Sequence, residues 1–353
     1  MKKIRVLHIS EAYGGGIKTI LENYKKFNNK EIFNFFLTNS ENISKRSRQK
    51  NHHFFKNRSR IINLIKLFFL IPLYILKTKP NIIHLHSTIA GLIGKIYSIF
   101  FLSKKFFYQP HGLFHLYTEN KIYKFLIILI ENIMSNFSCT NIACSESEYK
   151  EMKKYTKINK LILINNGVDI SKKKIINKIN KKIKVITVGR ICYQKDPKKF
   201  FDVYKSLKMK KVEFIWAGAG KYKNYENFFK KEGVTVTGWL SQKKIDKLML
   251  NSDIFILLSR YEGMSLSLLT AQSLGLPCVV SNVIGNKDLV KNNYTGFKSN
   301  NLKTIIKKTE LLINSKNLRI KIGNQSRNLI IKNYNINAQI KKLNLQYKKN
   351  ICF

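Results

Sequence analysis

Four short segments carry residue types at spacings that can do chemistry, and each follows an apolar run that reads as a strand. In GRICYQKDP, Arg190 and Lys195 lie five residues apart on one turn, which lets a forked guanidinium and a compact ammonium converge on one diphosphate. In SRYEGMSLSLLTAQ, Glu262 and Gly263 precede Ser265, a residue suited to open a helix whose free amides point out of a sheet. A carboxylate there can orient a hydroxyl or stabilise positive charge developing at a reacting carbon. In EAYGGGIKT, Gly14, Gly15 and Gly16 join a strand to a helix, so backbone can approach a ligand and helix amides can meet an anion. In YQPHGLFH, His111 can donate a hydrogen bond from the end of another strand. Each segment also has a plainer reading: two surface cations in a very basic chain, a carboxylate that merely favours a helix start, a common glycine turn, and a packed or capping histidine.

The elements that must position these residues are short apolar runs alternating with helical periodicity, the pattern of strand-helix units and parallel sheets. Strands are expected at 4–9, 33–37, 82–85, 106–109, 141–144 and 161–164, and a second series at 183–188, 212–216, 234–237, 254–258 and 278–281. Such sheets bind ligands outside the carboxyl ends of their strands, where all four segments fall. A chain of 353 residues exceeds the size at which one core keeps growing. The expected division is an N-terminal domain over 1–170, a charged hinge over 171–182 and a C-terminal domain over 183–334. A helix over 335–353 either stays on the surface or crosses back to the first domain.

The formal net charge is +45, but only nine of the 65 basic residues are Arg. The surplus Lys, among many Asn and Ile, is the composition that AT-rich coding produces, and it calls for no nucleic-acid partner; the chain carries no nucleic-acid recognition module. Five Cys without zinc-like or redox-like spacing fit a reducing compartment. The N-terminus lacks the apolar core of a secretion signal. The stretch 61–76 is broken by Lys66 and Pro72, short of the roughly 20 apolar residues a spanning helix needs.

Taken in order, the segments resemble the retaining glycosyltransferase family 4. The resemblance runs over nearly the whole chain, through the glycine loop, IIHLHS, PHG, IACSESE, INNGVD, VGRICYQKDP, FIWAGAGK, TGWL and EGMSLSLLTAQSLGLPCVVSNVIGNKDLV. It implies an α/β chain of the GT-B type, with two Rossmann-like doubly wound domains facing across a cleft. It implies transfer of a sugar from a nucleotide diphosphate sugar, a UDP-sugar being favoured, with no metal or other cofactor. By the same resemblance, Arg190 and Lys195 neutralise the donor diphosphate, while Glu262 with Gly263, Met264, Ser265 and Leu266 holds the donor sugar and phosphates. His111 contacts the sugar from the opposite domain, and Gly15 and Gly16 line the cleft; Glu262 and His111 are the catalytic candidates.

One position departs from the pattern. The family's second carboxylate, eight residues after the first and usually on the ribose hydroxyls, is here Thr270. A hydroxyl cannot take both ribose hydrogen bonds, and losing a charged acceptor costs roughly 1.5–3 kcal/mol of binding. A non-catalytic partner subunit therefore stays open as an alternative, and a nucleotide-sugar epimerase as a more distant one. The run KRSRQKNHHFFKNRSR, 45–60, holds seven cations, four of them Arg, and no acid. Followed by the apolar stretch 61–76, it reads as a basic loop and greasy helix that dock on an anionic membrane. A polyprenyl diphosphate-linked saccharide acceptor in surface polysaccharide assembly, on the inner face of the cell membrane, is the matching expectation. A surface loop followed by an ordinary core helix is the other reading of the same residues.

Overall fold

The strand β1 (Ile4–Ser10) alternates strictly, sending Leu7 and Ile9 into an apolar core and His8 to the opposite side, against Tyr24 and Phe36. The computed structural model describes residues 3–39, 51–55, 60–135, 137–170, 182–220 and 223–351. They form two compact units, Met1–Asn166 with Ile336–Phe353, and Gly167–Asn335. The expected hinge, apart from Lys182, lies outside the described residues. Flanking it, Val168 donates its amide to the Tyr334 carbonyl at 2.9 Å.

In the first unit β1 is followed by α1 (Gly15–Phe27), β2 (Ile32–Asn39), β3 (His52–Phe55), α2 (Arg60–Thr78), β4 (Ile82–His86), α3 (Thr88–Phe100), β5 (Lys105–Gln109), α4 (Lys121–Met134), β6 (Cys139–Ala143), α5 (Glu146–Met152) and β7 (Leu161–Leu163). The seven strands form a sheet ordered β3-β2-β1-β4-β5-β6-β7, parallel throughout. Register sets His8 beside His84 and Ser10 beside His86. Because side chains alternate, His8, His84 and His86 gather on one face, and Leu7, Ile9, Ile83 and Leu85 on the other with Leu67, Ile71, Ala90 and Ile93 of α2 and α3.

Two expectations change here. Residues 52–55, expected within a basic loop, are strand β3, because His52 is buried and hydrogen-bonded to Thr38 Oγ1 and Lys25 Nζ, both at 2.8 Å. The flanking cations 45–50 and 56–59 lie outside the described residues. The apolar stretch 61–76 is also partly a core helix: Leu67, Ile71 and Ile75 of α2, spaced by four, are buried, while Leu64, Ile65, Phe68, Phe69, Leu73 and Leu76 are exposed.

The second unit runs β8 (Ile183–Val188), α6 (Pro197–Leu207), β9 (Val212–Ala217), α7 (Lys223–Glu232), β10 (Thr235–Val236), α8 (Gln242–Leu250), β11 (Ile254–Leu257), α9 (Leu266–Ser273), β12 (Cys278–Val280), α10 (Asn286–Leu289), β13 (Gly296–Lys298), α11 (Leu302–Asn314) and α12 (Lys316–Asn333). Its sheet repeats the same winding, β10-β9-β8-β11-β12-β13. An aromatic cluster of Phe200, Phe214, Trp216 and Phe229 fills its core. The last helix, α13 (Ile336–Asn350), belongs to the first unit. There Tyr347 meets His84 Nδ1 at 2.5 Å, Asn344 donates to Asn28 at 2.8 Å and Lys348 pairs with Glu31 at 2.5 Å.

Candidate active site

Two loops at the carboxyl ends of adjacent strands build the charged site of the second unit. After β8 the chain turns at Gly189, whose carbonyl accepts from Trp216 Nε1 at 2.9 Å. It then makes a single 3₁₀ turn, Tyr193–Lys195, before Asp196 caps α6 by accepting from the Lys199 amide at 3.3 Å. Gly189 is required: its φ is +152°, and a Cβ there would lie 2.9 Å from Lys195 Cε. The Lys195 stem thus passes over bare backbone toward the loop after β11.

On that second loop Glu262 receives it. Lys195 Nζ lies 2.5 Å from Glu262 Oε1, with side-chain exposures of 15% and 8%. Ser259 Oγ donates to the same oxygen at 2.6 Å, and Gln194 Nε2 reaches Oε2 at 3.5 Å. The two loops are also tied by the Arg260 amide donating to the Gln194 carbonyl at 2.8 Å and by the Arg260 guanidinium, 4.3 Å over Tyr193 and 3.3 Å from Asp196. Gly285 makes room behind, since a Cβ there would sit 2.3 Å from the Gly263 carbonyl.

Gly263, Met264 and Ser265 are buried as the loop enters α9. Ser265 caps the helix by accepting from the Leu268 amide, at 3.4 Å, and no acidic residue occupies the first turn. The earlier amides, from Leu266 onward, are the groups such a cap leaves to an anion. Arg190 is exposed on the first loop and belongs to none of the ion pairs among the described residues. Thr270 is buried one turn into α9, a helix with no carboxylate of its own. Of the expected residues, then, the structure brings Lys195 and Glu262 into contact and puts Gly263 to Leu266 directly beside them.

In the first unit, the turn after β5 holds His111 at φ +59° and Gly112 at φ +133°. His111 was expected to donate outward, but its Nε2 lies 2.9 Å from His86 Nδ1, with the two rings stacked at 8°. His86 Nε2 in turn lies 3.0 Å from His8 Nδ1. Burial lowers the pKa of His111 and of His8 to about 3 and that of His86 and His84 well below the usual value, so these imidazoles are neutral and act as donors or acceptors, not cations. Gly15 and Gly16 are exposed at the start of α1, which has no side-chain cap and no acid in its first turn; Gly15 sits at φ +54°.

Sequence reasoning missed Gln194, Ser259 and Gly285, which hold Glu262 in place, and His8 and His86, which hold His111. Glu11 was missed too: it accepts from Ser87 Oγ and, at 3.4 Å, from the Ala90 amide at the start of α3, and burial raises its pKa. The alternation in IIHLH already put His84 and His86 on one face. Among the described residues, His8, His84 and His86 are the one grouping with ring nitrogens close enough for a metal ion, within 4.8 Å.

Two doubly wound parallel units, the second carrying the Lys195–Glu262 ion pair and an open helix terminus at its strand ends, have the architecture of the GT-B class. The chain matches the model of Glycosyltransferase Family 4 over residues 33–172 and that of glycosyl transferases group 1 over 169–329. It is 32% identical over 314 residues to the UDP-Gal:α-D-GlcNAc-diphosphoundecaprenol α-1,3-galactosyltransferase of Escherichia coli, covering 80% of each chain. Among solved structures it superposes on sucrose-phosphate synthase from Thermosynechococcus elongatus with a TM-score of 0.85 at 14% identity, covering 98% and 99% of the two chains. It also superposes on HepE of Anabaena, solved with UDP and glucose, with a TM-score of 0.79 at 14% identity, covering 98% and 100%. The chain belongs to glycosyltransferase family 4, and it is a glycosyltransferase.

Proposed function

We propose that the protein transfers a sugar, with retention of configuration, from a UDP-sugar to a polyprenyl diphosphate-linked saccharide during surface polysaccharide assembly. The observation that carries the donor side is the Lys195–Glu262 pair. Glu262 fixes the ammonium with one of its three donors, leaving the others for a diphosphate beside exposed Arg190 and the first amides of α9. In the step proposed, the acceptor oxygen bonds to the anomeric carbon on the face from which the diphosphate oxygen departs, and the acceptor proton passes to that oxygen. Lys195, Arg190 and the helix amides stabilise the leaving charge, so the reading calls for no metal. Glu262 and the backbone from Gly263 to Leu266 hold the sugar, His111 contacts it, and Gly15 and Gly16 lie near the phosphates.

The acceptor side rests on the relative from Escherichia coli, whose name specifies a diphosphoundecaprenol-linked acceptor, and on the outer layer of the first unit. Helix α4 buries none of its residues; Ile122, Tyr123, Phe125 and Ile133 are each more than half exposed. It adjoins α3 through the Lys95–Glu131 pair, and α3 adjoins α2 through Tyr97 Oη donating to the Phe68 carbonyl at 2.6 Å. The exposed apolar residues of the three helices, with Phe100 and Leu102, make an apolar layer whose cations Lys121, Lys124 and Lys77 are exposed. That combination suits peripheral docking on an anionic leaflet, and no helix among the described residues is long and apolar enough to cross one.

The test is incubation of the protein with UDP-galactose, UDP-glucose or their N-acetyl forms and a synthetic polyprenyl diphosphate-GlcNAc acceptor, read by mass spectrometry and by the anomeric proton coupling of the product. A lengthened acceptor with an α-linkage is expected. No transfer by the native chain or by Thr270→Glu, with UDP still bound, moves the reading to the partner subunit that the missing carboxylate in α9 allows.

A further inference from the structure

The buried histidines of the first unit form a hydrogen-bonded chain with a defined direction. Asn34 Nδ2 donates to the Tyr24 carbonyl at 3.2 Å, and a carbonyl can only accept, so the amide orientation is settled and Oδ1 faces His8 Nε2, also at 3.2 Å. His8 must therefore carry its proton on Nε2, which leaves Nδ1 as a bare lone pair. That lone pair accepts from His86 Nε2 at 3.0 Å, which bares His86 Nδ1, and this in turn accepts from His111 Nε2 at 2.9 Å. With every ring neutral, no other assignment satisfies all three contacts. At the end of the chain His111 Nδ1 is buried and has no hydrogen-bond partner.

We propose that Asn34, acting through His8 and His86, fixes His111 as its Nε2–H tautomer and so presents Nδ1 as a lone-pair acceptor for one hydroxyl of the donor sugar. The sugar's place rests on the donor-site reading above; the tautomer does not. Asn34, His8 and His86 are positioning residues, and His111 is the group that touches substrate. A neutral acceptor selects a hydroxyl that donates, so the chain makes the site sensitive to replacement of that hydroxyl by fluorine, which is similar in size but donates nothing. The chain also accounts for the ring nitrogens that otherwise resemble a metal site: His8 Nδ1 and His86 Nδ1 are already engaged as acceptors.

The first readout is nitrogen NMR of ¹⁵N-histidine-labelled protein, with rings assigned by single His→Gln variants. His8, His86 and His111 are each expected to show a protonated Nε2 and an unprotonated Nδ1, and Asn34→Leu is expected to give a mixture of tautomers at His111. A proton on His111 Nδ1 in the native chain overturns the proposal, as does stoichiometric zinc that is lost on His8→Gln. The second readout is titration of UDP-galactose and UDP-glucose against their monodeoxyfluoro analogues. One fluorinated position is expected to bind about three- to tenfold more weakly to the native protein, the range for one neutral hydrogen bond, and to lose that penalty in His111→Ala and Asn34→Leu. An equal penalty in native and variant proteins overturns the role toward the sugar. Failure of every UDP-sugar to bind, with the tautomers as expected, instead counts against the donor-site reading and leaves the chain standing.

Discussion

Replacing Lys195 with Met should destabilise the second unit by about 2–3 kcal/mol. Breaking a buried pair by removing one partner costs roughly 3–5 kcal/mol, because the surviving charge is left uncompensated. Glu262 is the survivor, with 8% side-chain exposure, but Ser259 still donates to it at 2.6 Å and Gln194 stays within 3.5 Å, which places the expected loss at or below the lower end. Glu262→Gln should cost less, about 1–2 kcal/mol, since the lysine stem can swing its ammonium toward water. In the double variant neither charge is stranded, so the total should fall short of the summed single losses by about 1–2 kcal/mol, the coupling expected of a contacting pair. The assay is urea unfolding followed by tryptophan fluorescence. Both Trp of the chain, Trp216 and Trp239, lie in the second unit, so the signal reports that unit alone. Losses that add within about 0.5 kcal/mol would refute the reasoning and mean that solvent already screens the pair.

Thr270→Glu should tighten UDP binding by roughly 1.5–3 kcal/mol in calorimetric titration, by restoring a charged acceptor for the ribose hydroxyls. Arg190→Ala should weaken UDP about tenfold while leaving uridine affinity unchanged, because an exposed guanidinium can add affinity only through the diphosphate. Ile122→Glu with Phe125→Glu should sharply reduce sedimentation with anionic vesicles at low salt without lowering the melting temperature, since α4 buries neither residue. Stability of the first unit should fall as pH drops from 6.5 toward 3. Across that window the unfolded chain protonates His8 and His111 while the folded chain, with both lowered to about 3, does not, a slope of about 1.4 kcal/mol per pH unit for each histidine. Chemical denaturation at pH 7 and pH 5, followed by far-ultraviolet circular dichroism, measures it, and a stability that is flat over that interval contradicts neutral burial.

The strand-helix alternation was legible because each strand buried on both faces is a run of apolar residues that charge or glycine interrupts. What escaped were two of the four edge strands, β3 and β13. His52–Phe55 reads as the middle of a cationic run, and only its pairing beside β2, with His52 on Thr38 and Lys25, makes it a strand. Gly296–Lys298 offers three residues, too few for any period, and its glycine is fixed by the Cys278 carbonyl, 2.5 Å from where a Cβ would lie. In the site, Lys195 and Glu262 announced themselves as charges on loops after strands, yet the distance between them in sequence hides their contact. Ser259, Gln194 and Gly285 carry no distinctive type or spacing, so only the folded loops reveal that they hold the carboxylate.

The two sheets share one winding but furnish their strand ends differently, one with charged groups and the other with neutral imidazoles, and that difference follows the chemistry proposed for each. A departing diphosphate gains negative charge, so the groups that meet it must carry positive charge through the reaction. Lys195 does so because Glu262, itself held by Ser259 and Gln194, fixes its position without consuming all its donors. A sugar hydroxyl gains little charge away from the reacting carbon and needs only a fixed lone pair or proton. Four clustered histidines would be a poor choice if any were ionised, because like charges a few ångströms apart repel and each would have to be desolvated. Held neutral by burial, they cost no such repulsion, and three of them, His8, His86 and His111, pass one proton order on from Asn34. A substitution that removes the acceptor at the head of this chain, such as Asn34→Leu opposite His8, should therefore disturb recognition of the sugar while leaving the affinity for UDP itself unchanged.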